Sequence, residues 1–125
     1  MTEGEMADTE QSVRPGQLSV VSTATDSIRV ITVAGEIDLD TIEPLRQALA
    51  VPNLPRPRIV IDMHQVTFMD STGINTLITA HRTLTEAGGW IRLAAPTKAV
   101  MHTLQLVGLE TLIDCRETLR EALGN

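Results

Sequence analysis

A chain of 125 residues, 42% of them apolar, has material for one core that buries about two-thirds of the unfolded surface, and none for a second domain. A net charge of −6 with 2% aromatic residues argues against a phosphate-tracking surface or a base-stacking platform, so nucleic acid is not an expected ligand. No apolar run approaches the roughly 18 residues of a membrane span, the first residues lack the basic and apolar regions of a signal peptide, and the lone cysteine, Cys115, allows no internal disulfide; the expectation is a cytoplasmic protein without a membrane partner.

Residues 1–14 hold Glu3, Glu5, Asp8 and Glu10 among small polar residues. They have no periodic apolar set to bury and read as a disordered acidic tail ahead of a domain at 15–125. Two runs rich in β-branched residues, 17–23 and 28–34, are separated by Ala24-Thr25-Asp26-Ser27, short enough for a hairpin. After Gly35-Glu36-Ile37-Asp38, the residues Ile42, Leu45 and Leu49 follow helical spacing, which predicts a helix over 41–50 with Asp40 and Thr41 as rival N-caps and Pro44 in its first turn. Pro52, Pro55 and Pro57 make a loop of 51–58. The run Ile59-Val60-Ile61-Asp62-Met63 is apolar on both faces, as expected for the middle strand of a sheet with helices on each side. His64 and Gln65 fall in the turn that follows.

A helix from Ser71 to about Ala87 carries Ile74, Leu77, Ile78 and Leu84 and stops at Gly88-Gly89. Trp90-Ile91-Arg92-Leu93-Ala94 makes the next strand, and Pro96-Thr97 opens a helix with Val100, Met101, Leu104 and Val107 on its buried stripe, ended by Gly108. Leu109, Leu112 and Ile113 give a short strand or extended segment. Asp114 and Glu117 then have capping-box spacing for a last helix carrying Leu119 and Leu123. The order predicts an α/β fold, a mixed β-sheet of four to five strands with about four helices.

Residues able to do chemistry concentrate in Val66-Thr67-Phe68-Met69-Asp70-Ser71-Thr72-Gly73-Ile74, where a buried strand feeds a helix. Asp70 or Ser71 is placed to cap that helix. The functional reading is that the Ser71 hydroxyl is presented to solvent for a partner or for modification, with Gly73 leaving room for another surface to approach the backbone. Neither G-x-G-x-x-G nor a Gly-rich loop ending in Lys-Ser/Thr occurs, and His64, His81 and His102 lack metal-ligand spacing, so no nucleotide cofactor or metal is expected. Met69-Asp70-Ser71-Thr72-Gly73 can be compared with the nucleophile elbow of the α/β-hydrolases, but Met69 stands at the first glycine and no histidine lies where it would activate Ser71. Asp62 can be compared with a phospho-accepting aspartate, yet the paired acids that would hold magnesium are missing. A small serine hydrolase or phosphotransfer enzyme using Ser71 or Asp62 is therefore the alternative to a non-catalytic binding module.

Gly35-Glu36-Ile37-Asp38, Ile59 to Asp62 followed by Val66 to Gly73, Gly88-Gly89 before a strand, and Leu106-Val107-Gly108-Leu109 together resemble the STAS domain, and within it the bacterial anti-sigma factor antagonists. The resemblance spans about residues 15–123. It implies a single STAS-like domain whose unphosphorylated form binds an anti-sigma factor and releases a sigma factor. It also implies phosphorylation of Ser71, with Thr72 as a rival acceptor, and partner contacts by Asp38, Asp70, Ser71, Thr72 and Gly73. The implied partner is an anti-sigma factor with a histidine-kinase-like ATPase fold acting as a serine kinase, opposed by a separate serine phosphatase.

Overall fold

The computed structural model describes residues 16–50 and 55–124; the expected acidic tail at 1–14 and the first half of the proline-rich loop lie outside the described residues. Strands β1 (Leu18–Thr25) and β2 (Ile28–Ile37) form the expected hairpin. Thr25 faces Ile28 across the ladder. Asp26 and Ser27, at φ 50° and 69°, supply the two left-handed residues with which a two-residue turn matches the strand twist.

Helix α1 (Glu43–Leu49), strand β3 (Arg58–Met69), helix α2 (Ser71–Glu86), strand β4 (Trp90–Ala94), helix α3 (Lys98–Leu106), a 3-10 turn (Leu109–Thr111), strand β5 (Asp114–Arg116) and helix α4 (Leu119–Leu123) follow. Strand order in the sheet is chain order, β1-β2-β3-β4-β5. β1 is antiparallel to β2 and every later pair is parallel. β3 is therefore the middle strand, as its unbroken apolar run requires.

Alternation along the strands builds two cores of unequal size. On one face Ile31, Val33, Ile59, Ile61, Met63, Ile91 and Leu93 pack with Leu45 of α1, Leu77 of α2 and Leu104 of α3. Each such side chain, withdrawn wholly from water, contributes about 1.5–3 kcal/mol before entropy is counted. The other face carries a smaller cluster, Ile28, Val60 and Ala94 against Ala122 of α4, flanked by Trp90, Leu119 and Leu123.

Several boundaries differ from the sequence expectation. β2 runs on to Ile37. β3 continues through His64-Gln65 to Met69, because its register against β2 slips between Asp62 and Gln65 and again between Val66 and Phe68. Each slip places one extra residue in β3, a bulge that resets the alternation. The first is closed locally by the Asp62 carboxylate, which accepts from the His64 backbone N–H at 3.2 Å. Neither Asp40 nor Thr41 caps α1, which starts at Glu43 without a side-chain cap. Val107 is 57% exposed and leaves the buried stripe of α3. Leu109 and Ile113 are buried by a helical turn, Ile113 N–H donating to the Leu109 carbonyl at 2.9 Å, so the last strand starts at Asp114. The final cap is likewise displaced: Thr118 Oγ1 accepts from Glu121 N–H at 3.1 Å and the Glu121 carboxylate accepts from Glu117 N–H at 3.2 Å, while Asp114 pairs with Arg116 at 2.8 Å.

Candidate functional site

At the carboxyl ends of the parallel strands, Ile37 of β2 faces Met69 of β3, and Asp70 N–H donates to the Ile37 carbonyl at 3.2 Å. The chain then turns into α2. Asp70 is the cap: its Oδ1 accepts from Thr72 N–H at 2.9 Å, satisfying one of the donors a helix start leaves free. Ser71, the first helical residue, is exposed, and its side chain has no hydrogen-bond partner among the described residues. Of the two sequence candidates for the cap, the structure assigns the role to Asp70 and leaves the Ser71 hydroxyl unengaged.

Gly73 is buried, and a Cβ there would collide with Met69 and come within 2.9 Å of Ile37 Cγ2. Its missing side chain lets α2 sit directly on the ends of β2 and β3. The expectation that Gly73 leaves room for another protein is thus corrected, since that space is filled from within. Thr72 is half-buried, and its carbonyl accepts from Thr76 Oγ1 at 2.8 Å.

Asp38 belongs to the same end of the molecule and closes the loop between β2 and α1. Its Oδ1 accepts from the N–H groups of Asp40 at 3.0 Å and Thr41 at 3.1 Å. Thr41 Oγ1 in turn accepts from Asp38 N–H at 2.9 Å and donates to the Glu36 carbonyl at 2.7 Å. The reciprocal pair holds Leu39 at the loop tip, 75% exposed. Leu39, Arg46, Leu49, Thr72, Thr76 and Ala80 line a cavity of about 580 Å³ between α1 and α2, beside Ser71. Phe68, 47% exposed, adds a second apolar side chain from the end of β3. Sequence reasoning missed both. Phe68 was hidden by the bulge that precedes it, and Leu39 offered one signal, a large apolar residue between two aspartates in a tight loop.

Glu36, Asp38, Asp40, Glu43 and Asp70 belong to the segments that build this end, and Arg46, which lines the cavity, pairs with Glu43 at 3.2 Å. Asp62 is not part of the surface. It is 6% exposed, lies in mid-strand, and is matched by His64 Nδ1 at 2.8 Å. Among the described residues no group of three or more His, Cys, Asp and Glu could hold a metal ion, and no helix is long and apolar enough to cross a membrane. Cys115 is half-buried against the main core. Burial, with Asp114 and Glu110 adding to it, pushes its thiol up to about 11.

The family model described as the STAS domain matches residues 19–122. An anti-sigma-B factor antagonist of Listeria monocytogenes is 29% identical over 102 residues, covering 81% of this chain and 89% of that protein. The crystal structure of an anti-sigma factor antagonist from Mycobacterium paratuberculosis superposes with a TM-score of 0.79 at 28% identity, covering 89% of this chain and 95% of that one. The anti-sigma factor antagonist SpoIIAA, solved in its unphosphorylated form, gives a TM-score of 0.67 at 26% identity, with 84% and 93% covered.

Proposed function

The chain belongs to the STAS domain family, and from that premise we propose that it is an anti-sigma factor antagonist switched by phosphorylation of Ser71. The unmodified form binds an anti-sigma factor and releases the sigma factor. The observation that carries the switch is the division of labour at the start of α2: Asp70 makes the cap bond, while the Ser71 hydroxyl is exposed and unbonded. Modifying Ser71 therefore breaks no internal hydrogen bond.

Phosphate adds a charge of about −1.5 to −2. The first turn of α2 accommodates it, since free N–H groups and the positive end of the helix dipole lie there. The fold is retained while the surface changes. For a partner fitted to a neutral hydroxyl the same group must be desolvated beside Asp70, at an end built with several carboxylates, without a prepared counter-charge. A penalty of about 3–4 kcal/mol weakens binding several-hundred-fold. Asp38, Asp70, Ser71 and Thr72 supply the polar part of the docking surface, Leu39 and Phe68 its apolar anchors, and Gly73 supports it from beneath. The partner is an anti-sigma factor with a histidine-kinase-like ATPase fold that acts as the serine kinase, and a separate phosphatase restores the hydroxyl.

The alternative of a serine hydrolase or phosphotransfer enzyme finds no support at this site: no base hydrogen-bonds Ser71 among the described residues, and Asp62 is buried in mid-strand. Calorimetric titration of the cognate anti-sigma factor with wild-type, kinase-treated, Ser71→Ala and Ser71→Asp protein tests the proposal. Ser71→Ala is expected to bind and to resist inactivation; Ser71→Asp, with less charge than phosphate, is expected to bind partially. Equal affinity for the phosphorylated and unphosphorylated forms would rule the switch out.

A further inference from the structure

The end of the molecule opposite Ser71, separated from it by the length of β3 and so by roughly 35 Å, carries a concentration of charge that the switch does not use. Two adjoining cavities of about 640 Å³ and 570 Å³ open there, sharing Pro55, Arg56 and Arg58; the first is also lined by Ser22 and Arg29, the second by Trp90. The chain has 16 acidic residues and 10 lysines and arginines, yet among the described residues three arginines and no carboxylate line these walls. Arg46, Arg92 and Arg116 each lie beside a carboxylate. Arg29, Arg56 and Arg58 have none among the described residues.

The arginines are also held in place. Arg56 has φ 51°, a left-handed conformation that residues with a Cβ avoid. It is kept there by its N–H donating to the Ala87 carbonyl at 3.2 Å and by Trp90 N–H donating to the Pro57 carbonyl at 2.9 Å. Gly89 packs so closely under Pro57 that a Cβ would strike its carbonyl. Arg29 donates from Nη1 to Ser22 Oγ at 3.0 Å, and its Nε is buried without an acceptor. Buried donors left unpaired are rare and point to a missing acceptor, and backbone strain maintained by its surroundings is a mark of functional loops.

We propose that this pole binds a small phosphorylated molecule, its phosphate gripped by Arg29, Arg56 and Arg58 in the first cavity, next to Trp90, whose ring carries the Arg92 guanidinium at 3.9 Å. Planar guanidinium forks match phosphate oxygens in pairs, three of them supply more charge than a single carboxylate would need, and each cavity is of small-molecule size. The site is independent of the reading of Ser71.

Trp90 is the only tryptophan in the chain, so its fluorescence reports occupancy. Titrating the full-length protein with inorganic pyrophosphate is expected to give a saturable change that citrate at equal ionic strength does not reproduce. Amide chemical-shift changes are expected at 27–29, at Arg56 and Arg58, and at 88–90. Arg58→Gln and Arg56→Gly are each expected to weaken binding about tenfold. The second variant is informative because glycine adopts the left-handed conformation freely, so the loop keeps its shape while the guanidinium goes. Arg82→Gln, on the exposed face of α2, is expected to change nothing. Absence of saturation at millimolar pyrophosphate overturns the proposal. So does equal binding of citrate, or an equal loss in Arg82→Gln, either of which would mark ordinary charge screening.

Discussion

Two neighbouring residues with similar side chains do different work at the start of α2, and stability measurements separate them. Asp70 caps the helix, so Asp70→Ala is expected to lower unfolding free energy by about 1 kcal/mol in a denaturant titration. Ser71→Ala removes no bond, and its cost is expected to stay within about 0.5 kcal/mol. A loss at Ser71 as large as at Asp70 would show that the hydroxyl is structural after all. Gly73→Ala is expected to be costlier than either, about 1–3 kcal/mol, because the added methyl must displace Met69 and Ile37. At Cys115 the thiol is pushed up to about 11, chiefly by burial, so the native protein should be alkylated slowly near pH 8 and faster as the pH climbs toward that value. The sign for stability follows. The neutral thiol is favoured in the fold, so its contribution is whole below the ordinary thiol pKa of 9.0 and is lost as the pH rises through the folded value. Rapid alkylation of the native protein at pH 8 would contradict the burial.

Among the elements, existence and type were legible in the sequence, down to the five residues of β4, and several boundaries were not, for physical reasons that differ. α2 spans enough turns that Ile74, Leu77 and Leu84 mark its buried stripe, and Gly88-Gly89 end it with Gly89 N–H on the Leu84 carbonyl at 2.8 Å and Gly88 N–H on that of Thr85 at 3.0 Å, the paired bonds of a glycine stop. β3 was cut short in the sequence reading because each bulge resets a period of two, so polar His64 and Gln65 looked like a turn. At the carboxyl end, acids and hydroxyls crowd into Asp114 to Glu121, and the spacing of Asp114 and Glu117 pointed to a cap that Thr118 and Glu121 make instead. Tertiary pairing decided. Asp114 is drawn to Arg116, and Thr118 is left to start α4. Thr118→Ala is accordingly expected to cost about 1 kcal/mol, whereas Glu117→Ala, whose side chain caps nothing, is expected to cost less than about 0.5 kcal/mol; a urea titration of the two variants distinguishes them. Of the proposed docking surface, Ser71, Asp70 and Asp38 are candidates that the chain itself offers, but Leu39 became visible only once the loop that exposes it had been folded.

For the molecule as a whole, acid should loosen the edge of the sheet. The Asp114 carboxyl is held below the usual carboxylate range, first by its hydrogen bonds from Arg116, against a desolvation that raises it, and further by the charges of Arg116 and Arg92. A depressed carboxylate contributes stability above its unfolded pKa and loses it as pH falls through the folded value. Asp114→Asn is therefore expected to destabilise at neutral pH and to match the wild type in strong acid. The pair is partly exposed, with 46% of the Asp114 side chain open, so the neutral-pH effect should be at most about 1 kcal/mol. A difference that persists unchanged at low pH would show that the charge is not the cause. Removal of residues 1–14, which carry no burying pattern, is expected to shift unfolding by less than about 1 kcal/mol. The sheet has a further property, because its strand order repeats the order of the chain. A polypeptide leaving the ribosome amino end first presents β2 to a β1 already made, then β3 to β2, β4 to β3 and β5 to β4. From β2 onward each new strand meets a neighbour already made, and no earlier pairing has to open to admit a later one. Native structure can accumulate during synthesis with one growing edge open at a time, and the last addition, β5 with α4, closes the smaller core over Val60 and Ala94.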